Sequence, residues 1–223
     1  MKTHPGLRAA SARQAGISLV IVLLALLIIG FAAIALLRSS DTGTLITGNL
    51  AMQKTALASG DAATETAITW LSAAAAGSLF ADTVANAANG YFATTADNCD
   101  LTGTRTATVT DDVDWPGTDP ATTTACNMTA RSVAPAGVAP GFTVSYVINR
   151  VCNIAGDPNA VSVAGTPMRC SRLAAGTSEG STRGGASYGN VPLTGQAQTY
   201  YRITTRIDGP RNTVRYVQAL VVI

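Results

Sequence analysis

The pattern of apolar and polar positions sets one segment apart from the rest of the chain. An uncharged apolar run extends from Ile17 to Leu37 and follows a short basic segment that carries Lys2, Arg8 and Arg13. As a helix, these 21 residues are about 32 Å long, which is enough to cross the hydrocarbon core of a bilayer. We therefore predict a transmembrane helix over 17–37.

The charges beside this run predict its orientation. Three basic residues and no acidic residue precede Ile17. Because basic flanks stay in the cytoplasm, the positive-inside rule places the N-terminus inside and the residues after Leu37 outside. We expect a single-pass membrane protein whose N-terminus lies in the cytoplasm and whose larger part lies outside.

Apolar residues continue at helical spacing beyond the membrane run. Their positions fall near one side of a helix, and charged residues occupy the opposite side, so the helix is predicted to continue to about Ala76. At the standard rise, a helix over 17–76 is about 90 Å long. Gly43 and Gly48 disfavour helix, so a break or softened turn is expected near 41–48. The apolar side is predicted to contain Ile46, Leu50, Leu57, Thr64, Ile68 and Leu71, and the charged side Lys54, Asp61 and Glu65.

The C-terminal half is rich in strand-forming residues. Alternating or β-branched runs predict strands at 105–113, 142–148, 198–207 and 213–222. The segment 208–212 contains Gly209-Pro210 and predicts a turn, so the last two strands form a hairpin. The pattern therefore indicates an α+β fold, in which a long N-terminal α-helix packs on a C-terminal antiparallel β-sheet. We expect a leader over 1–16, the helix over 17–76 and one globular domain over 77–223.

Four cysteines, all after the membrane run, indicate a disulfide framework. In an oxidising compartment an even number of cysteines predicts two disulfides, for which three connectivities are open. We favour sequential pairing, Cys99 with Cys126 and Cys152 with Cys170, because each bond closes a loop that is poor in regular pattern. A four-cysteine zinc site is the alternative, and the absence of any C-x-x-C pair disfavours it.

The sequence contains no recognisable catalytic constellation. Its one histidine, His4, lies in the leader, so the exported part lacks the imidazole that Ser-His-Asp and Cys-His sites need. The glycine-rich segment 176–185 lacks the P-loop pattern and is interpreted as a surface loop. An acidic cluster beside Trp115 is interpreted as a solvated turn, with a calcium loop as the alternative, although its spacing does not match the EF-hand. The cluster comprises Asp111, Asp112, Asp114 and Asp119.

Composition and charge limit the classes of partner that the chain is expected to bind. Only 13% of residues are charged, and the formal net charge is +2. Removal of 1–16 leaves 12 basic and 13 acidic residues, a charge of −1, so the basic character belongs to the leader. No electrostatic footprint for nucleic acid remains, and we expect no cofactor, no metal and no nucleic-acid partner.

Three processing outcomes are open for the apolar run. It can remain as a plain signal anchor. It can also act as a secretory signal peptide cut after Ala35, since Ala33-Ile34-Ala35 is a small-residue site, although Leu36 and Leu37 continue the run beyond it. The third outcome is a cut at its start, between Gly16 and Ile17.

The start of the run resembles a prepilin signal, in which a cytoplasmic-side peptidase cuts after a glycine and leaves the helix on the mature protein. The residues 13–22, Arg-Gln-Ala-Gly-Ile-Ser-Leu-Val-Ile-Val, are similar to the N-terminus of the PilX family of type IV pilus minor pilins. Arg38-Ser39, Gly48-Asn49 and the hairpin at 201–218 also resemble that family. The resemblance covers roughly the first 70 and the last 25 residues.

The resemblance implies a function and a set of partners. Gly16 would precede the cut, and Ile17 would be the new, methylated N-terminus. The implied role is non-catalytic initiation of pilus assembly in a tip or priming complex. The resemblance also implies that the membrane is the inner membrane and that the larger part of the chain lies in the periplasm. Ordinary pilins carry a glutamate at the fifth position after the cut, where this chain has Ile21. The implied partners are other minor pilins, the major pilin, prepilin peptidase, a large pilus-tip adhesin and, before assembly, inner-membrane lipid.

Two alternatives stay open at this stage. A type II secretion pseudopilin of the GspK kind also lacks the glutamate, but it carries a larger inserted domain than 77–197 provides. A signal-anchored extracytoplasmic enzyme or binding protein is the alternative from a different class, and the missing histidine disfavours the enzyme.

Overall fold

The computed structural model describes residues 17–105, 107–118, 125–173 and 198–223. The chain divides into two compact units, with the boundary between Met52 and Gln53. The first unit consists, in its described part, of one stretch of helix. The second contains the remainder of that helix, the β-sheet and the disulfide-bonded loops.

The N-terminal helix α1 extends without interruption from Ile17 to Ala73, 57 residues. The break predicted near 41–48 is therefore wrong. Glycine lowers helix propensity by only about 1 kcal/mol per residue, and a helix that continues on both sides outweighs that cost. The helix ends at Ala73, three residues before the predicted end at about Ala76. A short 3₁₀ turn at Ala76–Phe80 follows it.

The second unit contains one large sheet and a small ribbon. A short helix α2 spans Val84–Ala87. The strands are β1 Tyr91–Phe92, β2 Arg131–Val133, β3 Thr143–Arg150, β4 Ser162–Val163, β5 Thr166–Pro167, β6 Arg172–Leu173, β7 Gln198–Gly209 and β8 Thr213–Val222.

The main sheet is mixed, which corrects the expectation of an antiparallel sheet. Antiparallel pairing joins β2 to β3, β3 to β7, β6 to β7 and β7 to β8. The exception is β1, which pairs in parallel with β3 through Tyr91 opposite Ile148. Two residues are too short for a periodic signal, so the sequence pattern did not reveal this strand.

The β7–β8 hairpin follows the prediction closely. The two strands pair continuously from Tyr200 opposite Val222 to Gly209 opposite Thr213. The turn at Pro210–Asn212 places Arg211 and Asn212 at φ of 61° and 59°. The predicted helix and the predicted hairpin are thus both present in the α+β layout.

The strand predicted at 105–113 is wrong. The described part of this segment contains a 3₁₀ turn at Val109–Asp111 and one isolated bridge, Asp100 with Asp112. The carboxylate of Asp100 accepts the backbone N–H groups of Gly103 and Arg105, at 3.1 and 2.5 Å. A side chain therefore satisfies donors that a strand would have given to a neighbouring strand.

The central strand β3 is buried on both faces of the sheet. Helix α1 covers one face, where Tyr146, Ile148 and Ile203 pack with Leu71. Val147, which alternates with Tyr146 and Ile148, points to the opposite face and packs under the disulfide-bonded loops. That second cluster consists of Cys99, Leu101, Val113, Trp115, Cys126, Met128, Ala130 and Val147.

Small residues form the face of α1 that contacts the sheet, and this corrects the predicted face. Leu71 and Thr64 are buried as expected, but Ile46, Leu50 and Leu57 are exposed. A Cβ added to Gly60 would lie 2.9 Å from Ile207 Cδ1, so only small side chains allow this close approach. The buried positions are Ala56, Ser59, Gly60, Ala63, Thr64, Ala67 and Leu71.

Candidate functional site: the apolar helix segment and the disulfide-bonded loops

The predicted processing site lies at the boundary of the described residues. Helix α1 begins at Ile17, the residue that the resemblance assigns as the mature N-terminus. Gly16, the leader 1–16 and His4 lie outside the described residues. The processing roles of Gly16 and Ile17 therefore stay a prediction.

The apolar segment of α1 presents large side chains on all sides. Its leucines, isoleucines and valines from Leu19 to Leu37 are each more than half exposed, and Ile21 is 61% exposed. No charged residue interrupts 17–37. In the described part of the chain, α1 is the one helix that is long and apolar enough to cross a membrane. A fully apolar circumference of this kind is stable in lipid or against other helices.

The part of α1 that follows the apolar segment changes character. The hydroxyls of Thr42 and Thr47 donate to the backbone oxygens of Arg38 and Gly43, at 3.0 and 2.8 Å. These bonds satisfy the hydroxyls within the helix itself, although the side chains are exposed. The segment can therefore stay helical without a polar partner.

Two disulfides hold the loops of the second unit. Cys99 is bonded to Cys126 and Cys152 to Cys170, which are the sequential pairs favoured above. Because all four sulfurs are used in these bonds, they are not available as ligands for the alternative zinc site. Cys152 and Cys170 also form an isolated antiparallel backbone bridge just beyond the end of β3 at Arg150.

In the acidic cluster, a carboxylate accepts a backbone N–H group within a turn. Asp114 accepts the N–H of Gly117 at 2.9 Å, and its backbone pairs with Met128 and Ala130. Asp119 lies outside the described residues. Among the described residues, no group of three or more carboxylate, histidine or cysteine side chains is arranged to hold a metal ion.

One carboxylate in this cluster is held unfavourably. Asp112 Oδ1 is buried without a hydrogen-bond partner. Burial, and then the nearby charges of Asp100 and Asp111, raise the pKa of Asp112 above its ordinary value. Folding therefore makes ionisation of Asp112 less favourable than it is in the unfolded chain.

Trp115 and Trp70 both pack within the second unit. Trp115 is buried, and its ring centroid lies 5.6 Å from that of Tyr216 on β8. Trp70 lies 5.8 Å from Tyr91 at the helix–sheet contact. Trp115 thus attaches its loop to the sheet.

Sequence reasoning missed a buried arginine. Arg150, the last residue of β3, is fully buried, and its Nε donates to the backbone oxygen of Ala93 at 3.1 Å. Its guanidinium lies 5.9 Å from the centre of the Phe80 ring. An arginine at the end of a strand is usually exposed, so no local signal indicated burial.

Tyr91 lies in the same buried environment as Arg150. Burial raises the pKa of Tyr91, and the charge of Arg150 opposes this increase. The Tyr91 hydroxyl donates to the backbone oxygen of Leu79 at 2.6 Å. Arg150, Tyr91 and Leu79 therefore connect the 3₁₀ turn to the sheet.

Comparison with known proteins gives no matching family model, no matching curated protein and no matching solved structure. The class of protein that the structure defines is an α+β protein with a long N-terminal helix, part of which can span a membrane, and a disulfide-bonded C-terminal unit.

Proposed function

We propose that this chain is a minor pilin that takes part in initiating the assembly of a type IV pilus. The observation that carries the proposal is the single helix Ile17–Ala73. Its first part is apolar on all sides, and its last part lies in the core of the second unit. One continuous element thus provides both a segment for lipid or helix packing and the support of a globular domain.

The proposed mechanism uses the apolar segment twice. The segment first holds the subunit in the inner membrane, with the N-terminus inside and the second unit in the periplasm. In the pilus, neighbouring helices replace lipid around the same side chains. Because lipid tails are as apolar as leucine, this exchange has a small net cost and is driven by van der Waals packing.

Ile21 supports a terminal position for the subunit. In ordinary pilins the glutamate at this position is thought to pair with the free amine of the adjacent subunit, an ion pair that is favoured in a low dielectric. The side chain of Ile21 has no charge to offer. We therefore place the subunit at or near the pilus tip, in a complex with other minor pilins and, through it, with a large tip adhesin.

The processing of Gly16 and Ile17 provides the first test. The chain is expressed together with prepilin peptidase, and the mass of its N-terminal peptide is measured. We expect loss of residues 1–16 and a methylated Ile17, and we expect Gly16→Val to retain the leader. An intact leader in the unmodified chain, or an N-terminus at Leu36, would contradict the proposal.

Deletion of the gene tests the second part of the proposal. We expect far fewer surface pili, restored by the unmodified chain and not by Gly16→Val. Ile21 is also compatible with a pseudopilin of the GspK kind. Normal pili combined with a defect in protein secretion would support that alternative instead.

A further inference from the structure

Among the residues that the structure describes, the last strand of the sheet is paired along one edge only. β8 pairs with β7 over ten consecutive residue pairs, and no described residue pairs with its other side. The pairing contains no bulge, so the edge stays regular over its whole length. β8 is therefore a long edge strand.

The ladder shows which backbone groups point outward. The N–H of Ile223 donates to the oxygen of Thr199, the residue directly opposite, at 3.5 Å. In an antiparallel ladder such bonded pairs recur at every second residue. The odd-numbered residues of β8 therefore bond to β7. The even-numbered residues, whose N–H and C=O groups point outward, are Val214, Tyr216, Gln218, Leu220 and Val222.

The opposite side of β7 agrees with this assignment. The N–H of Val151 donates to the oxygen of Tyr200 at 2.9 Å, so even-numbered residues of β7 bond toward β3. Its odd-numbered residues are left for β8. The outward edge of β8 therefore presents five N–H and five C=O groups in regular order.

This edge lacks the devices that usually prevent strand pairing. β8 contains no proline and no lysine, and its one charged residue is Arg215. Leu220, the fourth of the five outward residues, is 68% exposed. A regular row of backbone donors and acceptors is complementary to an extended peptide, and the apolar side chains beside it favour an apolar one.

We propose that the free edge of β8 accepts an extended strand from a different polypeptide, which adds to the sheet along 213–222 and carries an acidic side chain near Arg215. Arg215 and Arg211 are both exposed at the turn end of this edge. Among the described residues, the carboxylate of Asp208 forms its salt bridge with Arg206 and not with Arg215. The positive end of the edge thus selects a strand with a carboxylate there.

A second copy of this chain fits the edge less well. Its β8 strand has no acidic residue to offer to Arg215. A pair of identical β8 strands therefore leaves Arg215 of both copies without a carboxylate, and a different polypeptide is the better match.

A crosslinking experiment in producing cells tests the added strand. The full-length chain carries a photoreactive benzoyl-phenylalanine in place of Gln218, and the adduct is identified by mass spectrometry after irradiation. Leu220→Pro removes one outward N–H, whereas its matched control Leu220→Ala removes the same side chain and keeps the N–H. Proline at an outward position of an edge strand is compatible with the fold.

We expect an adduct with a different polypeptide, retained in Leu220→Ala and reduced about tenfold in Leu220→Pro, since a lost backbone bond in a buried strand has an effect of that order. We also expect Arg215→Glu to reduce it. Equal yields in the proline and alanine variants, an adduct of twice the chain mass, or no adduct would overturn the proposal.

Two controls keep the result decisive. Thermal unfolding of each variant reports the fold, and if Leu220→Pro unfolds, Arg215→Glu decides, with an unchanged yield contradicting the proposal. The N-terminal mass of the same samples reports cleavage after Gly16. A failure of strand addition is thus distinguished from a failure of the proposed function.

Discussion

The two ends of helix α1 use opposite kinds of residue. From Leu19 to Leu37 the helix carries large apolar side chains that remain exposed. From Ala56 to Leu71 its buried face consists mainly of alanine, glycine, serine and threonine. Within one continuous helix, burial therefore follows the presence of a partner surface rather than the size of the apolar side chain. Large residues suit lipid or other helices, and small residues allow the sheet to approach.

The largest expected effect contrasts a buried and an exposed leucine of this helix. Leu71→Ala leaves a cavity in the helix–sheet core and should lower the free energy of unfolding by about 2–5 kcal/mol. Leu57→Ala removes the same atoms from a half-exposed position and should change it by about 1 kcal/mol or less. Denaturant unfolding of the second unit measures both. Equal losses would show that Leu57 is also covered.

A charge placed in the apolar segment tests whether that segment inserts into a membrane. Leu27→Arg should make insertion less favourable by about 3 kcal/mol at the centre of the bilayer. The matched variant Leu57→Arg lies outside the apolar run and should insert normally. The fraction of chain that resists alkaline extraction from membranes measures this. Full insertion of both variants would contradict a transmembrane role for 17–37.

Substitutions at two glycines of α1 distinguish the effect of close packing from the effect of helix propensity. A side chain at Gly60 meets Ile207 and Val217, so Gly60→Val should destabilise the second unit by about 1–3 kcal/mol through overpacking. No atom lies within 4 Å of a Cβ at Gly48, so Gly48→Val should be neutral or slightly stabilising. Thermal unfolding compares the two. A loss of similar size in both would remove the close-approach argument.

The smallest expected effect is a pH dependence of the stability of the second unit, where Asp112 lies. The apolar segment 17–37 contains no charged residue and should not contribute to it. The raised pKa of Asp112 means that the folded state binds its proton more tightly than the unfolded state. Stability should therefore increase as pH falls through the raised pKa, until the ordinary pKa is passed. Asp112→Asn should flatten this part of the stability curve and be more stable than the unmodified chain at neutral pH. A steeper curve in the variant would contradict the assignment.

Several features were predictable because they depend on local pattern. The apolar run, the β7–β8 hairpin and strand β3 each repeat one signal over many residues, and all three occur close to the predicted bounds. The parallel strand β1 and the burial of Arg150 depend on contacts between distant segments, for which a single sequence carries no periodic signal. The strand predicted at 105–113 was wrong: the Asp100 carboxylate accepts the N–H of Arg105, and the chain forms a 3₁₀ turn at Val109–Asp111.

The sequence by itself determined that an uncharged apolar run lies at 17–37 behind a basic segment and that the C-terminal half is rich in strand-forming residues, and it favoured the sequential cysteine pairing. These follow from composition, spacing and chain order. Only the tertiary structure decided which face of α1 is buried, that the sheet is mixed, and that β8 pairs on one side only among the described residues, with five outward-pointing backbone pairs. The physical reason is that burial and backbone pairing are properties of two surfaces in contact, and a sequence pattern describes one surface at a time.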